Sequence, residues 1–211
     1  MDRGLSLRDV VVFKDEVPLI RVHYDIAPGA VLTVMGPSGV GKSTLLAFIT
    51  GTLALDFRAT GAVWLDGHNI THAAPHQRRV GILFQDDLLF PHLSVGANLA
   101  FGLPPGGSRA ARHTRINEAL AEVGLDDFAD RDPATLSGGQ KARVALMRML
   151  LSEPCALLLD EPFSRLDAAL RAQVREMVFD RARARALPVL LVTHDADDAA
   201  AAGGDIITLG D

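Results

Sequence analysis

Gly36-Pro37-Ser38-Gly39-Val40-Gly41-Lys42-Ser43-Thr44 places three glycines, a lysine and three hydroxyls between an apolar strand, Val31 to Met35, and a helix over Thr44 to Thr50. That spacing suits the holding of a polyphosphate. Glycines let backbone N–H groups close on anionic oxygens, the helix N-terminus adds the positive end of its dipole, and Lys42 reaches the β/γ oxygens of a bound nucleotide. Ser43 is placed to put its hydroxyl on Mg²⁺. The four fixed positions arise by chance on the order of once in a hundred chains of this length, and the strand before and helix after are the context that the motif requires.

Phosphoryl transfer also needs charge neutralisation and an oriented nucleophile. Leu157-Leu158-Leu159-Asp160-Glu161 is an apolar strand ending in two adjacent carboxylates. Strand alternation aims such neighbours differently, so different jobs are expected of them. His194 follows a further apolar strand, Val189 to Thr193, and Gln85 follows Val80 to Phe84. The stretch Leu136-Ser137-Gly138-Gly139-Gln140 precedes a helix. Taken alone it reads as an N-cap and turn.

Read together, these segments resemble the ATP-binding cassette (ABC) family, with at least six motifs in family order over essentially the whole chain. Leu136 to Gln140 resembles the family's signature motif, which closes over the γ-phosphate of ATP held by a second subunit. The resemblance implies that Ser137, Gly138, Gly139 and Gln140 contact nucleotide bound by a second copy of the chain. It implies that Asp160 holds Mg²⁺, that Glu161 polarises the attacking water, and that His194 senses the γ-phosphate. Gln85 resembles the glutamine that touches Mg²⁺ or the water. Ser164-Arg165-Leu166-Asp167 resembles the D-loop, usually written Ser-Ala-Leu-Asp, which adds Asp167 to the nucleotide site; Arg165 departs at a variable position. Phe13 sits where the family carries an adenine-stacking aromatic, with a buried strand phenylalanine as the equal alternative and Tyr24 as second choice for the stack.

The elements that must position these residues are legible as short apolar runs at Val10 to Phe13, Val31 to Met35, Val80 to Phe84, Ala156 to Leu159, Val189 to Val192 and Ile206 to Leu209. Continuous apolar strands separated by helices suit a sheet buried on both faces, hence an α/β core that is largely parallel. Leu5 to Phe13, Pro18 to Asp25 and Ala62 to Leu65 alternate and are expected to be antiparallel. The fold expected is a P-loop NTPase of the ABC ATPase type, with an antiparallel β subdomain and an inserted helical subdomain. A single domain over 1–211 is expected, with 1–84 and 155–211 as core and 85–154 as the helical insertion. Within the insertion, Ile116, Ala119, Leu120 and Val123 share one face of a helix over Arg115 to Val123, ended by Gly124.

A chain of 211 residues, 48% hydrophobic, supports one sizeable core and excludes a tandem two-cassette protein. Net charge is −5 and no Lys/Arg run is present, so nucleic acid is not expected as a partner. The only cysteine, Cys155, cannot form an internal disulfide, and no apolar run reaches membrane-spanning length. Met1-Asp2-Arg3-Gly4 starts no signal peptide. The remaining histidines show no metal-ligand spacing.

The wording Leu89-Phe90-Pro91-His92-Leu93-Ser94-Val95 and Asp160-Glu161-Pro162-Phe163-Ser164 is similar to ATPase subunits of bacterial importers for thiamine, molybdate, ferric iron and polyamines. The resemblance implies ATP and Mg²⁺ as cofactors, a homodimer sandwiching ATP, integral membrane permease partners with a periplasmic solute-binding protein, and a peripheral location on the cytoplasmic face of the inner membrane. Leu88, Leu89, Phe90 and Phe101 are candidates to line the groove that receives a permease helix. Many members continue into a regulatory domain after the last strand, whereas this chain ends at Asp211, so inhibition through such a domain is expected to be absent. An export or lipoprotein-release ATPase is the main rival. A non-transport cassette requires a coiled coil or basic insertions, and a GTPase an Asn-Lys-x-Asp base reader, none of which the sequence contains.

Overall fold

The computed structural model describes residues 3–209 other than Ser38, Gln85 and Asp87. The chain divides into two compact units, one of residues 1–82, 155–161 and 175–211, the other of 83–154 and 162–174.

The first unit contains two sheets. Strands β1 (Leu5–Lys14), β2 (Val17–Ile26), β4 (Phe57–Leu65) and β5 (His68–Asn69) form an antiparallel sheet in the order β2-β1-β4-β5. Alternation explains its burial: Val10, Val12, Ile20, Val22 and Ile26 point into the core while Arg21, His23 and Asp25 face solvent. β1 and β2 are joined by Asp15-Glu16, both with left-handed φ, 48° and 65°. That geometry matches the strands' twist but is ordinarily supplied by Asn-Gly or Asp-Gly.

The second sheet comprises β3 (Val31–Met35), β6 (Val80–Leu83), β7 (Ala156–Asp160), β8 (Val189–Val192) and β9 (Asp205–Thr208), in the order β6-β7-β8-β3-β9. β7 with β8, β8 with β3, and β3 with β9 run parallel. All four residues of β8 and the first four of β7 are buried, as strands covered on both faces require. Helix α1 (Lys42–Thr50) follows β3, and its Leu45, Leu46, Phe48 and Ile49 join Leu5, Leu7, Leu32, Val34, Leu158 and Leu190 in a core shared by both sheets.

In the second unit α2 (Val95–Gly102) packs on α4 (Gly138–Leu151), with α3 (Arg109–Glu122) beside them. α3 starts six residues before Arg115 because Ser108 caps it, accepting from the Ala111 N–H at 3.1 Å. Its predicted face is the buried one, through Ile116, Ala119 and Leu120. Asn98 is fully buried and carries the preceding turn: its amide accepts from the Phe90 N–H at 2.8 Å and donates to the Phe90, Leu93 and Ser94 carbonyls. Residues 162–174 belong to this unit, where Leu166 and Leu170 lie 3.5 and 3.7 Å from the Cβ position of Gly139 at the start of α4. Helix α5 (Ala168–Ala184) leads on from there, and α6 (Ala196–Ala202) lies between β8 and β9.

Candidate nucleotide site

β7, β8 and β3 are neighbours, so the residues at and beyond their C-terminal ends come together: Asp160 as the last residue of β7 and Glu161 after it, His194 after β8, and the glycine-rich loop after β3. The carboxyl end of an open parallel sheet is where ligands bind in α/β folds. The loop's contribution is a bare helix terminus. Gly41, the N-cap of α1, has φ 100° and no side chain caps the helix, leaving its first N–H groups for a ligand. Lys42 is 7% exposed, and its ammonium donates to the carbonyls of Gly36 at 2.7 Å and Pro37 at 2.9 Å. Ser43 is exposed and hydrogen-bonds Asp160.

Burial pushes the Asp160 carboxyl above its ordinary range. The Ser43 hydroxyl opposes that rise, Glu161 adds to it, and Lys42 again opposes it. A carboxylate short of compensation beside an exposed hydroxyl suits a hard divalent cation. Among the described residues no group of three or more His, Cys, Asp or Glu side chains could hold a metal by itself. That donor set fits Mg²⁺, which usually takes one or two protein ligands and completes its shell with water and substrate phosphates.

Glu161 differs from the expectation that strand alternation separates it from Asp160. β7 ends at Asp160, and Glu161 takes a left-handed φ of 47° while its N–H donates to the Val192 carbonyl at 2.9 Å. The backbone turn, not the pleat, re-aims the side chain. A non-glycine residue in this region costs about 1–2 kcal/mol, and such strain clusters at functional sites. The carboxylate, 15% exposed, lies 2.8 Å from Nδ1 of His194. The histidine is held from both sides: Thr193 is buried, with its N–H directed at the Val34 carbonyl, and Asp195 caps α6 through the N–H groups of Asp197 and Asp198.

In the second unit Ser137 and Gln140 form a reciprocal cap on α4, the serine Oγ accepting from the Gln140 N–H at 3.3 Å and Gln140 Oε1 accepting from the Ser137 N–H at 2.9 Å. Ser137 and Gly138 are exposed; Gly139 and Gln140 are half-buried. Nothing lies within 4 Å of where a Gly138 Cβ would stand. Asp167 caps the start of α5, accepting from the Leu170 N–H at 3.1 Å, and Arg165 pairs with Asp86. Gln85 and Ser38 lie outside the described residues. Phe13 is half-buried on β1, and the hydroxyl of Tyr24 is occupied by Asp205, whose hydrogen bond raises the phenol's pKa.

Sequence reasoning missed Arg78. It is 5% exposed, and its guanidinium donates to the carbonyls of Phe48 and Ile49 at the end of α1, and to those of Thr71 and Ala73, at 2.6–2.9 Å. Burial lowers its pKa, and the cation sits at the negative end of the phosphate-loop helix. A lone arginine after Gln77 carries no motif that could have revealed this.

The chain is similar to the uncharacterized ABC transporter ATP-binding protein YnjD of Escherichia coli K12, 52% identical over 180 residues that make up 85% of this chain and 83% of YnjD. The thiamine import ATP-binding protein ThiQ of Haemophilus influenzae 86-028NP is 43% identical over 87% of this chain and 85% of its own. The Fe(3+) ions import ATP-binding protein FbpC of E. coli K12 is 38% identical over 97% of this chain and 59% of its own. Among solved structures, the dimeric post-hydrolysis state of the ATP-binding cassette MJ0796 bound to ADP and Pi superposes with a TM-score of 0.82 at 31% identity, covering 97% of this chain and 94% of that one. The ABC transporter family matches residues 19–164. With the phosphate loop, acidic pair and histidine at adjacent strand ends of a matching fold, the chain belongs to the ABC transporter ATP-binding proteins: it binds ATP and is an ATPase.

Proposed function

We propose that this chain, as one cassette domain over 1–211, powers solute import through separate membrane permeases by ATP-driven closing and opening of a homodimer. The observation that carries this reading is the Lys42, Asp160, Glu161 and His194 constellation, together with a signature segment in which, among the described residues, nothing from another element lies within 4 Å of a Gly138 Cβ. The open space around Gly138 leaves room for close approach by a second molecule.

Each residue has a role in that scheme. Lys42 exchanges the carbonyls of Gly36 and Pro37 for β/γ-phosphate oxygens, and the N-terminus of α1 receives the phosphates. Ser43 and Asp160 hold Mg²⁺, which supplies charge neutralisation on the phosphates when bound. Glu161 orients the attacking water and accepts its proton, while His194 fixes the carboxylate through Nδ1. Ser137, Gly138, Gly139, Gln140 and Asp167 complete the site of the partner copy, and Gln85 faces the ion or the water. Two ATP molecules then join two chains, and hydrolysis separates them.

Import is supported by the relatives named for thiamine and ferric ion import, and the dimer by the dimeric cassette MJ0796. A permease segment has an apolar surface to meet: Leu88 and Phe101 are 58% and 70% exposed, and Phe101 packs edge-on against Phe90 at 4.7 Å. No helix among the described residues is long and apolar enough to cross a membrane. In this scheme the permeases hold the chain at the cytoplasmic face, and a periplasmic binding protein delivers the solute.

Subunit mixing tests the shared site. Ser137→Arg and Lys42→Ala chains should each be inactive alone. Mixed dimers carry one intact composite site, so an equimolar mixture should recover about a quarter of wild-type ATPase activity if one site suffices. A mixture no more active than its two components would sink the shared-site arrangement.

A further inference from the structure

Phe13 is paired with Arg58 of β4 on one side and with Pro18 of β2 on the other. Directly paired positions place their side chains on the same face of the sheet. The guanidinium of Arg58 stands 4.3 Å from the centroid of the Phe13 ring. The same guanidinium is held by Glu16, Nη2 to Oε2 at 3.1 Å. Glu16 occupies the tip of the β1–β2 hairpin at φ 65°, a position where glycine would relieve the backbone. The phosphate loop runs past the opposite side: a Cβ on Gly41 would lie 3.4 Å from Leu19 and 3.7 Å from Ile20, both on β2. Arg58 therefore lies over the ring from the β4 side, while Pro18 and the phosphate loop lie on its β2 side.

We propose that Arg58, fixed by Glu16, is a positioning residue for the base of the bound nucleotide. It backs the Phe13 ring so that the opposite face receives adenine in a three-layer stack of guanidinium, phenyl and purine. The inference rests on Phe13 being the base platform. The cation draws π density toward itself, and the far face becomes a better match for an electron-rich purine. It also stops the ring from turning edge-on to the incoming base. A phenylalanine without a hydroxyl anchor has particular use for such a backing, and the strained glutamate supplies the counter-charge that keeps the guanidinium in place.

The test is a cycle of Phe13→Ala, Arg58→Ala and the double variant, with ATP and inorganic triphosphate titrated calorimetrically into the full chain. Arg58→Ala should weaken ATP binding about two- to fivefold, the equivalent of an exposed cation–π contact, and leave triphosphate binding unchanged. Phe13→Ala should weaken ATP about fivefold or more, and Arg58→Ala should then add nothing. Glu16→Gly should weaken ATP in the direction of Arg58→Ala without lowering the melting temperature, a combination that a purely structural ion pair does not give. Unchanged ATP affinity in Arg58→Ala, with Phe13→Ala weakened, overturns the backing role. So does an equal loss of triphosphate affinity, which would mark Arg58 as a general positive charge. If Phe13→Ala binds ATP normally, the platform reading itself fails and the inference falls with it.

Discussion

Glu161→Gln is the sharpest perturbation of the proposed chemistry, because glutamine leaves the geometry in place. It keeps the left-handed backbone at φ 47° and the N–H bond to Val192, so the strain at this residue is the same in both proteins. The side chain is isosteric, and its amide oxygen can still accept from Nδ1 of His194 across the present 2.8 Å. The stability change should be small, since the histidine is 66% exposed and solvent screens the pair. What is lost is the negative charge that accepts a proton from water. General-base catalysis contributes about 10²–10⁴-fold, so hydrolysis under saturating ATP should fall by that factor, equivalent to about 2.7–5.4 kcal/mol of barrier. Equilibrium ATP binding should hold within about twofold, because the group acts in the transition state and not in ground-state binding. Single-turnover hydrolysis, calorimetric ATP titration and thermal melting separate the three quantities. Turnover within about fivefold of wild type would refute the base assignment, since that loss is too small for a removed proton acceptor.

The buried Asp160 carboxyl has a folded-state pKa raised above its unfolded value, so its contribution to stability falls as pH rises through that raised value and returns on acidification. Asp160→Asn should therefore melt higher than wild type at neutral pH without nucleotide, yet lose the Mg²⁺ dependence of ATP binding; a lower melting temperature would show that the Ser43 and Lys42 interactions outweigh burial. Arg78→Met keeps the apolar stem but strips four backbone carbonyls of their cation, which should cost about 3 kcal/mol or more and about 10 °C of melting temperature. A shift under about 2 °C would mean that water replaces the guanidinium.

What could be read in the sequence was chemistry written in contiguous residues. Gly36 to Thr44 needs only its own backbone and the next helix to bind phosphate, and Ala156 to Asp160 and Val189 to Val192 declare two-faced burial by their apolar continuity. Those segments imposed the parallel sheet, and the sheet brought their ends together. Properties that depend on another element were not legible. Nothing in the letters Asp160-Glu161 says that the second carboxylate leaves the strand through a left-handed residue, because that turn is imposed by the Val192 carbonyl on the neighbouring strand. Arg78 becomes a helix cap only once α1 and the Thr71 to Ala73 turn have closed around it. The same logic bears on Phe13, for which sequence spacing leaves a core residue and a base platform equally open. Core burial would have hidden the ring among aliphatic side chains, whereas the β1–β4 register gives it a cation held by a counter-charge on a strained hairpin. Arg8 over Trp64 and Lys14 over Phe57 repeat that cross-strand pairing on the same two strands, so the cation by itself does not choose between the two readings, and ATP binding by Phe13→Ala does.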